Sequence, residues 1–207
     1  VMLQNCRAGS YRYGLQTLGD FTGRIREMHL EGTSLEMNDT ELWIRLPGRF
    51  NASNMLAVYG ASVLLGQRPG EVQRAISRLT PVSGRFETVR SEGGPTGIVD
   101  YAHSPDALKN VLETLNEVHQ GPGRIITVVG AGGNRDRGKR PRMARIAAEG
   151  SHQLILTSDN PRDEDPEQIL DDMMEGVPHE VRERTLRISS REEAIRTACV
   201  MAGAGDI

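Results

Sequence analysis

Ile125-Ile126-Thr127-Val128-Val129-Gly130-Ala131-Gly132-Gly133-Asn134-Arg135-Asp136-Arg137-Gly138-Lys139-Arg140-Pro141 is the stretch that decides the fold. It opens on five β-branched residues, a run suited to a strand buried on both faces. Gly130 to Arg140 carries neither a helix nor a strand pattern. That is long for a loop inside a compact domain, and such loops are often functional. Pro141 then opens a predicted helix with Met143, Ile146 and Ala147 on its inward side.

The same alternation continues in both directions. Toward the N-terminus, Ile98 to Ala102 reads as a strand. Ser104-Pro105 then caps and opens a helix with Leu108, Val111, Leu112 and Leu115 at i, i+3, i+4, i+7. Toward the C-terminus come a strand at Leu154-Ile155-Leu156 and a helix from Asp165-Pro166 carrying Ile169, Leu170 and Met173. A strand at Leu186-Arg187-Ile188 follows. Ser190-Arg191-Glu192-Glu193 is then a capping box for a helix with Ala194, Ile195, Ala198 and Cys199 inward. Strand and helix alternating in this way predict an α/β domain with a parallel sheet, and right-handed crossovers make it Rossmann-like.

Residues 1–82 differ in texture. Glu41 to Leu46 is strand-like. Asn51 is a candidate N-cap for a helix running to about Leu65, with Gly66 as its stop. Pro69 opens another helix with Val72, Ala75, Ile76 and Leu79 on one face. This region holds too little core pattern to look complete, and the chain reads as beginning in mid-domain. At Gly205-Asp206-Ile207 a further strand could be starting.

Composition narrows the function classes. Of 207 residues, 37% are hydrophobic and 26% charged, with a net charge of −3, which suits a soluble globular protein and gives no basic excess for nucleic-acid binding. No apolar run approaches the roughly 18 residues of a membrane span. Cys6 and Cys199 are far apart and lack CxxC spacing, so a reducing cytoplasm fits better than a disulfide framework. No histidine pair has metal-ligand spacing, and no residue order compels a nucleophile or general base.

Three segments concentrate the unusual chemistry: Asp100 to Pro105, Gly130 to Pro141, and Asp159 to Pro166. Each follows a predicted strand and precedes a predicted helix. All three are therefore expected at the carboxyl edge of one parallel sheet, where open α/β sheets bind ligands. In the second, glycines allow close backbone approach to an anion, and arginines can bind a carboxylate or phosphate bidentately. Gly133 to Lys139 imitates a P-loop, but Arg140 stands where Ser or Thr would bind magnesium. A solvated basic loop would carry the same residues. In the third, Asp159-Asn160-Pro161-Arg162 suits a ligand with both ammonium and carboxylate groups, while an Asx-type turn with a surface arginine would also explain it.

Five segments in a fixed order together resemble the Mur ligase family. They are Leu46-Pro47-Gly48-Arg49-Phe50-Asn51-Ala52-Ser53-Asn54, Gly84-Arg85-Phe86-Glu87, Val99-Asp100-Tyr101-Ala102-His103-Ser104-Pro105-Asp106-Ala107-Leu108, the Gly130–Pro141 loop, and Thr157-Ser158-Asp159-Asn160-Pro161-Arg162. The Asp-Asn-Pro-Arg tetrapeptide is similar to that of the tripeptide-forming members that use meso-diaminopimelate rather than lysine. Asn134 departs from the family's Gly-Gly-Asp-Arg-Asp by removing one charge from the loop.

The resemblance implies an ATP- and magnesium-dependent amide ligase of peptidoglycan precursor synthesis, located in the cytoplasm. Its substrates would be UDP-MurNAc-L-Ala-D-Glu and meso-diaminopimelate, joined through an acyl phosphate. Residues 1–82 would be the tail of the α/β central ATP-binding domain, and 83–207 the Rossmann-like C-terminal domain. Arg135, Asp159, Asn160, Pro161 and Arg162 would bind diaminopimelate. Asn51, Arg85, Asp100 and His103 would lie near ATP, with no metal ligand and no general base assigned. The family's P-loop would lie before Val1 and a Gly-His-Glu segment beyond Ile207, so this chain alone is expected to be inactive. A ligase recycling murein tripeptide, a folylpolyglutamate-type synthase, or a non-catalytic nucleotide- or amino-acid-binding module stay open as alternatives.

Overall fold

The computed structural model describes residues 7–16, 18–90, 92–119 and 121–207, so Cys6 lies outside it. The chain divides into two compact units, Val1–Val82 and Ser83–Ile207.

In the first unit the strands β1 (Tyr13–Gly14), β2 (Phe21–His29), β3 (Gly32–Met37) and β4 (Thr40–Ile44) form one sheet in that order. β1 pairs with β2 in parallel, and β2, β3 and β4 form an antiparallel meander. Asn38 and Asp39 both take positive φ, 46° and 63°, which makes the tight two-residue turn between β3 and β4. Helices α1 (Arg49–Leu64) and α2 (Pro69–Ser77) complete the unit. Leu35, Met37, Ile44, Ala52, Leu56 and Ile76 lie in a buried core, so this region has more core than its sequence pattern suggested.

Two local expectations need correction here. Asn51 is not the cap of α1. Gly48, at φ 102°, takes the capping position, and Asn51 Nδ2 donates to the Pro47 carbonyl at 2.7 Å. On α2, Ala75 faces outward and Gln73 is buried instead, its amide donating to the Met37 carbonyl at 3.0 Å, while Leu79 lies beyond the helix end and is exposed. Gly66 does end α1, with φ 87°, the left-handed conformation such a stop requires.

The second unit opens with an antiparallel hairpin, β5 (Glu87–Arg90) with β6 (Thr96–Val99). Then follow α3 (Pro105–Val118), β7 (Ile126–Ala131), α4 (Lys139–Gly150), β8 (Gln153–Ser158), α5 (Pro166–Met174), α6 (His179–Arg182), β9 (Leu186–Ile188) and α7 (Arg191–Met201). β7, β8 and β9 form a parallel sheet in that order. Helices α4, α5 and α7 pack on β7 and β8. Leu154, Ile155 and Leu156 are fully enclosed, each contributing roughly 1.5–3 kcal/mol of burial. The expected Rossmann-like order therefore holds from β7 onward.

The predicted strand at 98–102 behaves differently. It ends at Val99 and pairs with β5, not with the parallel sheet. The backbone of Ile207 bonds to Arg124 O and Ile126 N, as in a parallel bridge, while Asp206 O accepts from Thr96 N. Residues 206 and 207 thus lie between β6 and β7. On α7 only Ala194 is fully buried, and Ile195 and Cys199 are exposed.

Candidate functional site

Two of the three segments follow parallel strands: 132–138 leaves β7 and 159–165 leaves β8. The β6–α3 segment follows an antiparallel strand, which corrects the expectation of a single parallel edge. It reaches the same end of the unit nonetheless. Lys139 Nζ, at the start of α4, donates to the His103 carbonyl at 2.9 Å. A cavity of 240 Å³ is lined on its polar side by Asp100, Tyr101, His103, Asp159 and Arg191.

The loops after β7 and β8 are zipped together. Gly133 N donates to Asn160 O at 2.9 Å, and Arg162 Nη1 donates to Gly133 O at 2.7 Å. A Cβ on Gly133 would stand 1.9 Å from the Pro161 carbonyl oxygen, so only glycine allows this approach. Asn134 sits at φ 50° and Arg162 at φ 52°. Asparagine tolerates that region well, while arginine there is uncommon and must be held by its surroundings. Asn134 Nδ2 also donates to Asp163 Oδ2 at 2.9 Å, a bond that an aspartate at this position could not make.

Among the residues expected to bind an amino acid, Arg135 and Arg162 are exposed on these adjoining loops. No ion pair or hydrogen bond to another described residue engages the Arg135 side chain. Asp159 is taken up by Arg191, whose Nη1 donates to Asp159 Oδ1 at 2.7 Å. Ser190 caps α7 and thereby sets Arg191 at its first turn. Arg191 was noticed in the sequence only as part of the capping box. Pro161 O accepts from Glu164 N, and that turn closes the Asp-Asn-Pro-Arg segment.

Arg140, Glu164 and Asp172 form a buried ion cluster behind the loops. Arg140 is 0% exposed, bonds Asp172 Oδ2 at 2.7 Å and Glu164 Oε1 at 2.8 Å, and reaches Gly132 O at 3.3 Å. The Glu164 carboxyl is held down at about 2, first by the Arg140 hydrogen bonds and then by the Asn134 N–H. Asp172 is also lowered, chiefly by Arg140. The sequence offered Arg140 only as the residue spoiling a P-loop.

The residues expected near ATP fall in both units. Asn51 belongs to the first unit, with its amide engaged by Pro47. Asp100 spends both oxygens on backbone: Oδ2 accepts from Phe86 N at 2.8 Å and Oδ1 from Ala102 N at 2.7 Å. Arg85 stacks over the Tyr101 ring, 4.6 Å from its centroid, and the His103 ring meets the same tyrosine edge-on with ring centroids 5.2 Å apart. Tyr101 is 62% exposed, so this cation–aromatic group faces solvent. Among the described residues no group of three or more His, Cys, Asp or Glu is placed to hold a metal, and no helix is long and apolar enough to cross a membrane.

The family description "Mur ligase, glutamate ligase domain" matches residues 84–207. The chain belongs to the Mur ligase family. It is 55% identical over 207 residues to a UDP-N-acetylmuramoyl-L-alanyl-D-glutamate--2,6-diaminopimelate ligase of Bacteroides thetaiotaomicron, covering 100% of this chain and 43% of that protein. It is 57% identical to the ligase of the same name from Parabacteroides distasonis, with the same coverage. A solved structure of a ligase so named is 36% identical, with a TM-score of 0.59, over 94% of this chain and 40% of that one. This Mur ligase chain thus spans about two-fifths of the length of the relatives it matches.

Proposed function

We propose that the whole protein carrying this chain is an ATP-dependent amide ligase of peptidoglycan precursor synthesis. It joins one amine of meso-diaminopimelate to the D-glutamate γ-carboxylate of UDP-MurNAc-L-Ala-D-Glu, after that carboxylate has become an acyl phosphate. Residues 1–82 belong to its central, ATP-binding domain and 83–207 to its C-terminal domain. The chain works in the cytoplasm, where the nucleotide-linked substrate and ATP are.

The observation that carries this reading is the zipped pair of loops, with Arg162 Nη1 on the Gly133 carbonyl and Arg135 on the adjoining loop. The Gly133 bond uses one guanidinium nitrogen of Arg162 and leaves Nε and Nη2 for a ligand carboxylate. Asp159, Asn160 and Pro161 stand on the same turn and complete a face for a zwitterion. The names of the relatives add their support.

For ATP the fit is partial. Arg85, Tyr101 and His103 form an exposed group that can stack on a base or meet a phosphate. Asp100 shapes that group through backbone bonds instead of offering free oxygens, and Asn51, in the first unit, is read as a nucleotide contact on the strength of the family resemblance alone. Bound ATP would supply the phosphoryl group that activates the carboxylate. Among the described residues no group of three or more His, Cys, Asp or Glu is placed for magnesium. Catalysis by this chain's residues is positioning of the amine and electrostatic complementarity to its carboxylates.

The test is amide formation by the whole ligase with ATP, UDP-MurNAc-L-Ala-D-Glu and either meso-diaminopimelate or lysine. Diaminopimelate is expected to be preferred at least tenfold in kcat/KM. Equal use of lysine would overturn the reading.

A further inference from the structure

The most unusual group in the molecule lies behind the candidate amino-acid face, not on it. Arg140 is a wholly enclosed guanidinium on the first turn of α4. Burying such a charge is expensive, and apolar side chains of similar volume often stabilise a core as well or better. A cluster kept polar at this place does something an apolar plug would not do. Its geometry shows what. Glu164 Oε1 accepts from Arg140 Nη2 at 2.8 Å and from Asn134 N at 2.5 Å, while Oε2 lies 3.0 Å from Arg137 Nη2. One carboxylate therefore holds the glycine-rich loop at two points, a hydrogen bond to Asn134 and an ion pair to Arg137, and ties both to Arg140 at the start of α4. It stands two residues after Arg162, and Asn134 is next to Arg135.

We propose that Glu164, gripped by Arg140, is a positioning residue of the amino-acid site, holding the two loops in the register that lets Arg135 and Arg162 address one ligand carboxylate. The inference rests on reading those loops as the amino-acid face. Asp172 matters to how it can be tested. With Glu164 neutralised, Asp172 still bonds Arg140 Nη1 at 2.7 Å, so the buried guanidinium keeps a counter-ion and α4 keeps its anchor. Loss of the Glu164 charge weakens the bonds that Oε1 makes to Asn134 and Arg140 and breaks the Arg137 ion pair, which loosens the loop without exposing a bare buried cation.

The experiment is steady-state kinetics on the whole ligase, varying ATP, UDP-MurNAc-L-Ala-D-Glu and meso-diaminopimelate in turn, for wild type, Glu164→Gln, Arg137→Ala and Arg162→Ala. Displacement of binding groups by about an ångström can cost up to roughly 100-fold. Glu164→Gln is expected to raise the KM for diaminopimelate about tenfold or more, leaving KM for ATP and kcat at saturating diaminopimelate within about twofold. Arg137→Ala, which removes a 67% exposed side chain, is expected to move the same KM in the same direction by a smaller factor. An unchanged diaminopimelate KM in Glu164→Gln, beside an impaired Arg162→Ala, overturns the positioning role alone. An unimpaired Arg162→Ala overturns the reading of the loops themselves. A uniform fall in kcat with all KM values unchanged means a structural role only and also overturns the proposal. If Glu164→Gln does not fold, Arg137→Ala decides: a raised diaminopimelate KM supports positioning, and an unchanged one overturns it.

Discussion

Arg162 Nη1 donates to the carbonyl of Gly133 at 2.7 Å, so the last residue of the Asp-Asn-Pro-Arg segment is also the staple between two loops. The side chain is exposed, which means water competes for its remaining nitrogens until a ligand covers them. Arg162→Ala is expected to lower kcat/KM for diaminopimelate by about 10- to 100-fold, with a much smaller change for ATP. Arg162→Lys recovers only part, because one ammonium cannot reach the Gly133 carbonyl and a carboxylate with the geometry of a planar fork. Kinetics with each substrate varied separately check this. Equal losses for all three substrates would remove Arg162 from the amino-acid site.

Gly133 and Gly70 make a paired prediction about stability. A Cβ on Gly133 would lie 1.9 Å from Pro161 O, and nothing in the backbone there can give without breaking the loop contact. Gly133→Ala is expected to destabilise by about 1–3 kcal/mol, the usual range for overpacking. Gly70, at the second position of α2, has nothing within 4 Å of its would-be Cβ and no positive φ. Gly70→Ala should stabilise by about 0.4–1 kcal/mol through the unfolded chain. Urea unfolding of both variants measures the two signs, and a neutral Gly133→Ala would mean the loops are not in contact.

How much of this was legible follows from how local each determinant is. The caps of α3, α5 and α7 were readable because a side chain at 104, 165 or 190 accepts from a backbone N–H two or three residues on, at 3.4, 3.0 and 3.3 Å. The β7 strand was readable from its β-branched run. The partner of β6 was not, since nothing in residues 96–99 says that they pair with 87–90 rather than with the parallel sheet. α7 showed an apolar face in sequence, yet only Ala194 is fully enclosed. Arg140 was least legible of all. A buried arginine looks like any other basic residue until its acids are known, and Glu164 and Asp172 come from 24 and 32 positions away. The dense acidic run at 163–165 beside a basic loop was the one available hint.

Acid should weaken the protein in a defined window. The Glu164 carboxyl titrates at about 2 instead of 4.5, held first by Arg140. Asp172 is lowered by the same arginine and Asp206 by Arg124. Groups whose folded pKa is depressed contribute stability that is complete above their unfolded values, 4.5 for the glutamate and 3.8 for the aspartates, and is lost as pH falls toward the folded values. Stability is therefore expected to be flat with respect to these groups from about pH 7 to 5 and to fall between about 4.5 and 2. Glu164→Gln should flatten part of that fall. Urea titrations at a series of pH values test it, and an unchanged acid limb in the variant would contradict the assignment.

Asp100 offers the sharpest choice between two roles. Both of its carboxylate oxygens accept backbone N–H groups, from Phe86 at 2.8 Å and from Ala102 at 2.7 Å. Phe86 is a buried aromatic at φ 48°, an uncommon conformation for a bulky residue, and the Asp100 bond is one of the things that holds it there. Through those two bonds Asp100 sets Arg85, one residue before Phe86, over Tyr101, one residue before Ala102. Asp100→Ala leaves two N–H groups without their acceptor and should cost about 1–3 kcal/mol. Asp100→Asn keeps one acceptor and should fall between wild type and alanine. If Asp100 acts on nucleotide only through this scaffold, affinity for ADP and thermal stability will decline together across the series, with asparagine intermediate in both. Melting curves and calorimetric titration of the whole ligase with ADP give the two quantities. An asparagine variant of wild-type stability that has lost ADP binding would instead make Asp100 a direct nucleotide contact.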